Sequence, residues 1–208
     1  MHGAAGILTV LLQAPAEVIE PYMPEILATT TALCRLTLEN HGHLPSSLPV
    51  TDRSDAYVQI CHGSPGLIIL LTTLKLLFPA HWGEDTVYAD TLPVAADAVW
   101  EQGLLKKGLS ICHGVSGNAW PLLLLAQVSS GEERDKWLGR ALSLLMEARK
   151  MPPTGTGPFM VPDAPLSLFQ GVAGMIAACA EACAVVEGDE DRILGFVGLG
   201  GRGVTGFF

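Results

Sequence analysis

The strongest constraint on the fold is a short pattern that occurs four times along the 208-residue chain. A histidine or glutamine precedes Gly-x-x-Gly and an apolar run, in the segments 2–6, 62–66, 113–117 and 170–174. The copies are spaced by about 50 to 60 residues, a period typical of stacked helical hairpins. The pattern therefore predicts a chain built from four similar units.

Each unit is predicted to contain a buried helix followed by an amphipathic one. Residues 67–71 and 122–126 are apolar nearly all round, as in a helix buried on every side. Amphipathic outer helices are expected over residues 21–39, 88–101 and 132–151. The prediction is an all-α protein, either an α-solenoid or a ring of hairpins. In a ring, the four Gly-x-x-Gly segments converge on one face, where glycine lets backbones approach closely.

Composition and charge exclude several classes of protein. A hydrophobic content of 49% excludes a disordered chain. The net charge is −9, and no basic run exceeds Lys106-Lys107, so a nucleic-acid partner is not expected. No apolar stretch reaches the roughly 18 residues of a membrane span, and no signal peptide is evident. We expect a single cytoplasmic domain over residues 1–208, with a flexible tail at 197–208.

Cysteine and histidine occur together at the same phase of two units, in Cys61-His62-Gly63 and Cys112-His113-Gly114. Two thiolates and one imidazole are a common ligand set for Zn²⁺, and three protein ligands leave a fourth position for water or substrate. A zinc-bound thiol loses its proton near neutral pH and becomes a nucleophile. The pairs therefore favour a catalytic zinc site.

The other three cysteines do not form part of this pattern. Cys179 and Cys183 lie four residues apart on one predicted helix face, with no histidine or third cysteine near them in sequence. We expect both of them, and Cys34, to pack in the core as small apolar side chains.

These motifs resemble the lanthionine synthetase C-like family, in its eukaryotic branch. The resemblance extends from Met1 to about Phe196 and implies an α/α toroid of seven hairpins. This chain would hold about four of them and lack the N-terminal half. The implied metal is Zn²⁺, with Cys61, Cys112 and His113 as ligands. The segments that carry the resemblance are residues 2–7, 61–66, 106–119 and 167–174.

The resemblance also implies a reaction and the residues that perform it. The thiol of a peptide cysteine or of glutathione would add to dehydroalanine or dehydrobutyrine, which gives a thioether. The catalytic residues would be His2, which would exchange the proton, and Lys107, whose charge would stabilise the thiolate. Lys107 and Asp163 would contact glutathione. Met160 stands where the family tends to have an arginine, and His62 is not expected to bind the metal.

Two other functions remain open at this stage. A chain with about half of a toroid could be a catalytically impaired module that binds zinc and glutathione, and its exposed flanks could lead to dimers or aggregates. A carbohydrate-active toroid related to six-hairpin glycosidases would need two carboxylates about 5 to 10 Å apart. The repeated segments offer cysteine and histidine instead, which argues against a glycosidase.

Overall fold

The computed structural model describes residues 3–50, 57–83, 86–154, 159–189 and 195. This part of the chain contains helices and no strand, which confirms the all-α class. The tail predicted at 197–208 lies outside the described residues. The helices are α1 Gly3–Leu11, α2 Ala16–Ile19, a 3-10 turn Glu20–Tyr22, α3 Met23–Glu39, α4 Ser64–Leu77, α5 Pro79–Trp82, α6 Thr86–Gln102, α7 Val115–Gln127, α8 Gly131–Ala148 and α9 Val172–Glu187.

The helices form an inner and an outer layer. Helices α1, α4, α7 and α9 make the inner layer, in which each contacts the next in turn. The outer helices α3, α6 and α8 pack against α1, α4 and α7 respectively, and α3 also contacts α6. The described residues thus contain three complete hairpins and the inner helix of a fourth. None of these helices is both long and apolar enough to cross a membrane.

The predicted outer helices are confirmed, with small differences at their ends. The first starts at Met23 rather than residue 21, because Glu20–Tyr22 forms a 3-10 turn. The second runs from Thr86 to Gln102, and the third from Gly131 to Ala148. The single-turn helices α2 and α5 were not predicted, since four residues are too few to show a helical period.

Burial separates the two middle inner helices from the two at the ends of the row. Helices α4 and α7 have inner neighbours on both sides and are buried along most of their length. Helices α1 and α9 are not buried all round, since Ile7 is 62% exposed and Ile176 is 64% exposed. Among the described residues each of them has an inner neighbour on one side only. Dimerisation through these flanks stays a prediction.

The same arrangement explains which cysteines reach the core. Cys34 is fully buried, as expected, in α3. The prediction is wrong for Cys183, which is exposed, and Cys179 is only partly buried. Both lie on α9, where α7 and α8 cover part of the helix surface.

Glycine is required where each loop folds back on the first turn of the inner helix that follows it. A Cβ atom on Gly117 would lie 1.8 Å from the carbonyl oxygen of Ile111, and one on Gly174 would lie 2.4 Å from that of Leu168. In both units the carbonyl belongs to the residue six positions earlier. The glycine at the end of the Gly-x-x-Gly pattern therefore permits the close backbone approach between loop and helix that we predicted from the sequence.

We expect Gly117→Ala to lower the free energy of unfolding by about 3 kcal/mol or more, because overpacking against rigid backbone costs at least as much as against side chains. Gly139→Ala is the matched control, since its Cβ would meet nothing within 4 Å on α8. This control should stabilise the protein by roughly 0.5 to 1 kcal/mol. Urea unfolding of the three proteins checks both values, and equal stability of the two variants would contradict the packing argument.

A charged cluster joins the outer helices α6 and α8. Arg140 donates a hydrogen bond to Asp97, and Lys136 lies 3.3 Å from the same carboxylate. The Arg140 guanidinium also lies over the rings of Trp100 and Trp137, 5.5 and 5.0 Å from their centroids. Burial acts to raise the pKa of Asp97, but the hydrogen bonds from Arg140 and Lys136 outweigh it and hold this pKa below its ordinary value.

The lowered pKa predicts how Asp97 contributes to stability at different pH values. An ionised Asp97 stabilises the fold above its unfolded pKa of about 3.9, and this contribution is lost as the pH falls through the lower folded pKa. Asp97→Asn should therefore cost up to about 1 kcal/mol at pH 7, because the pair is partly exposed. Urea unfolding near pH 7 and near pH 2 measures the difference. The same cost at both pH values would show that charge is not the cause.

Candidate metal centre

Backbone hydrogen bonds bring three of the loops that precede inner helices together at one end of the inner layer. Cys61 lies before α4, and Cys112 lies before α7. The Cys61 N–H donates to the Cys112 carbonyl at 3.2 Å, and the Cys112 N–H donates to the Phe169 carbonyl, before α9, at 2.8 Å. The predicted convergence of the repeated segments is thus observed for three units.

A buried asparagine in α7 fixes the positions of these loops. The side-chain amide of Asn118 donates to the carbonyl of Val58 at 2.9 Å and to that of Gly103 at 3.0 Å. Val58 precedes Cys61 in the same loop, and Gly103 follows α6. One side chain therefore ties the Cys61 loop to the end of the neighbouring outer helix.

The side chains of Cys61, Cys112 and His113 form a group that can hold a metal ion. Their three ligand atoms lie within 4.8 Å of one another. Zinc bonds of about 2.3 Å to sulfur and 2.0 Å to nitrogen place tetrahedral ligand atoms about 3.5 to 4 Å apart, so only small side-chain movements are needed. Cys61 is buried, whereas Cys112 and His113 are partly exposed, which leaves access for a further ligand.

The pKa shifts of Cys61 and His113 are consistent with a site that binds a cation. Burial, with the charge and hydrogen bond of neighbouring Cys112, raises the pKa of Cys61 to about 11. Two such close thiols ionise together only with a positive charge between them. Burial and the Lys107 charge lower the pKa of His113, while Asp163 acts in the opposite direction. The lowered pKa favours the neutral imidazole, which is the form that binds a metal.

Lys107 and Asp163 lie close to His113, one of the three candidate ligands. Both are close enough to change the pKa of His113. The Met160 N–H donates to the Lys106 carbonyl at 2.9 Å, which joins the 160–163 loop to the segment before Cys112. Lys107 is partly buried and Asp163 is exposed. The two residues expected to contact glutathione thus lie beside the candidate metal ligands.

Of the two other histidines discussed in the sequence analysis, the structure describes His62 but not His2. His2 lies outside the described residues, and Gly3, which follows it, lines a cavity next to Cys61. His62 is partly buried, and its ring centroid lies 6.1 Å from that of Tyr57. His62 is not one of the residues of the ligand group.

Sequence reasoning missed other parts of the site. The Cys61 thiol donates to Oε1 of Gln59 at 3.3 Å. A cavity of about 220 Å³ lies beside Cys61 and is lined in part by residues 44–48. Those residues are predicted only to form a loop, and no pattern in the sequence indicates which part of the molecule the loop faces.

Helical hairpins whose converging loops carry a Cys-Cys-His group define the class of protein. The family model for lanthionine synthetase C-like protein matches residues 2–194, and this chain belongs to that family. The family fold is a helical toroid, and the row of hairpins described above is part of one. The chain is also 33% identical over 178 residues to "Glutathione S-transferase LANCL1" of Danio rerio, over 84% of this chain and 40% of the relative. It thus spans about 40% of the length of that relative.

We expect Cys112→Ser to lower the bound zinc from about one ion per chain to nearly none, because a neutral hydroxyl is a poor replacement for a thiolate ligand. Cys183→Ser is the matched control, since Cys183 is exposed on α9 and outside the ligand group. Elemental analysis of the purified proteins measures both. Unchanged zinc in the Cys112 variant would show that this group is not the metal site.

Proposed function

We propose that the protein catalyses the zinc-dependent addition of a thiol to dehydroalanine or dehydrobutyrine residues of a polypeptide, giving a thioether. The observation that carries the proposal is the group of Cys61, Cys112 and His113 with Lys107 and Asp163 beside it. Membership of the lanthionine synthetase C-like family supports it.

The three side chains would hold zinc and leave one coordination position for the substrate thiol. When bound, zinc supplies the positive charge that lets this thiol lose its proton near neutral pH. The Cys61 and Cys112 thiolates would balance the 2+ charge of the zinc ion. The ion could still accept the anionic sulfur of the substrate thiol as a further ligand. Lys107 adds a local cation in a chain of net charge −9.

The reaction is an addition that needs no oxidant or reductant. The thiol first loses its S–H proton to solvent, and the sulfur then forms a bond to the β-carbon of the unsaturated residue. The π electron pair of the carbon–carbon double bond moves to the α-carbon and its carbonyl group as an enolate. The α-carbon then takes one proton. We assign His2 as the acid that delivers this proton, since imidazole titrates near neutral pH. The product contains all atoms of both substrates.

We propose glutathione as the thiol donor, with a peptide cysteine as the other possibility. The name of the zebrafish relative includes glutathione S-transferase. Lys107 can pair with a glutathione carboxylate, and Asp163 can pair with its ammonium group. In the part of the chain that the structure describes, none of the cysteines forms a disulfide. This is consistent with the reducing cytoplasm, which we propose as the compartment.

The second candidate is a module that binds zinc and glutathione without catalysing the addition. The described residues contain the groups proposed to bind zinc and glutathione, whereas the assigned acid, His2, lies outside them. Mass spectrometry of a zinc-loaded sample with glutathione and a dehydroalanine peptide distinguishes the two. The enzyme gives an adduct with the summed mass, whereas the module gives none above the uncatalysed rate.

Lys107→Ala should raise the KM for glutathione about tenfold, because one charge-assisted contact contributes roughly 1.5 kcal/mol. Lys106→Ala is the matched control, since Lys106 is exposed and its neighbour is partly buried beside His113. The KM is measured from initial rates at saturating peptide. If both variants have the wild-type KM, Lys107 does not contact glutathione.

A further inference from the structure

The cavity beside Cys61 has different lining residues from the group formed by His113, Lys107 and Asp163. Its volume is about 220 Å³, and its walls come from the first turn of α1, from α3, from the 44–48 loop and from the loop that carries Cys61 and His62. Cys112, His113, Lys107 and Asp163 are not among its lining residues. Cys61 is therefore the member of the ligand group that connects it to this cavity.

The residues that line the cavity differ chemically from the charged residues Lys107 and Asp163 near His113. Gly3, Ala4 and Ala5 form one wall, and Leu33 and Leu36 contribute to another. Serines 46 and 47 and the His62 imidazole add polar groups, but no Asp, Glu, Lys or Arg lines it among the described residues. Glutathione carries two carboxylates and an ammonium group, whose burial without partners is unfavourable. The cavity therefore suits an uncharged ligand.

The size of the cavity also restricts its occupant. Pockets for drug-sized ligands are typically about 300 to 1,000 Å³, so a cavity of about 220 Å³ holds a short piece of a larger molecule. An unsaturated residue such as dehydroalanine is small and uncharged, and the small side chains of α1 leave room for it. A peptide bond on each side of that residue can hydrogen-bond to serine hydroxyls.

We propose that this cavity is the acceptor subsite, which takes the unsaturated residue of a polypeptide while the thiol donor approaches from the Lys107 side. The inference rests on the proposed function and adds to it a separate place for each substrate. The arrangement brings the β-carbon beside Cys61 and therefore next to the position where the thiol would be held. The two substrates then do not compete for one pocket.

Filling the cavity should weaken acceptor binding and leave donor binding unchanged. In Ala4→Phe, a large ring on α1 would occupy the space, and we expect the KM for a dehydroalanine peptide to rise at least tenfold. The KM for glutathione and the zinc content should stay within about twofold of wild type. Ala16→Phe is the matched control, an exposed alanine on α2 outside the cavity, and should behave as wild type. Lys107→Ala should show the opposite pattern, a raised glutathione KM alone.

A binding measurement keeps the test independent of turnover. The zinc-loaded protein is titrated calorimetrically with the same peptide carrying alanine in place of dehydroalanine, which cannot react. We expect Ala4→Phe to raise its Kd at least tenfold, and Ser47→Tyr, on the opposite wall, provides a second variant if the first does not fold.

The outcomes separate the two hypotheses. If the wild type forms the adduct but both cavity variants keep the acceptor KM, the subsite is wrong and the function stands. If no adduct forms yet the cavity variants lose peptide binding, the proposed addition is wrong and with it the acceptor role of the cavity, which is then a peptide-binding site only. No peptide binding to the wild type, or a raised glutathione KM in Ala4→Phe, would overturn the inference.

Discussion

The candidate site depends on two backbone hydrogen bonds between loops that are far apart in sequence. The Cys61 N–H binds the Cys112 carbonyl, and the Cys112 N–H binds the Phe169 carbonyl. These bonds join the starts of α4, α7 and α9, and they place thiols from two different hairpins side by side. They form because each loop lies directly on its helix, in contacts that only glycine permits at positions such as Gly117. The distances between the candidate metal ligands therefore depend on how these loops pack.

Two parts of the candidate site differ in charge. Lys107 and Asp163 carry opposite charges close to His113. Small and apolar residues, with no Asp, Glu, Lys or Arg among the described ones, line the cavity beside Cys61. In the proposed function, the charged thiol donor matches the first part, and the uncharged unsaturated residue matches the second. Such a difference in charge would keep donor and acceptor from binding in each other's place.

The repeated pattern was sufficient to predict the helical class, the inner and outer layers and the candidate ligands, because each depends on local periodicity or on phase within a unit. Predictions of side-chain burial were less successful, because burial depends on which other helices pack against the helix. Cys183 and Cys34 look alike in sequence, yet one is exposed on the end helix α9 and the other is fully buried in α3. The apolar periodicity of a helix shows that it can be buried, but the number of packed neighbours decides whether it is.

The sequence by itself determined which residues can bind a metal and that they recur at equivalent positions of a repeat. Only the tertiary structure decided that Cys61, Cys112 and His113 lie within 4.8 Å, that Gln59 accepts from a ligand thiol, and that a cavity lies beside them. The physical reason is that ligand identity is a property of single side chains. Distances and cavities, by contrast, result from how several hairpins pack, and no short segment of sequence contains that information.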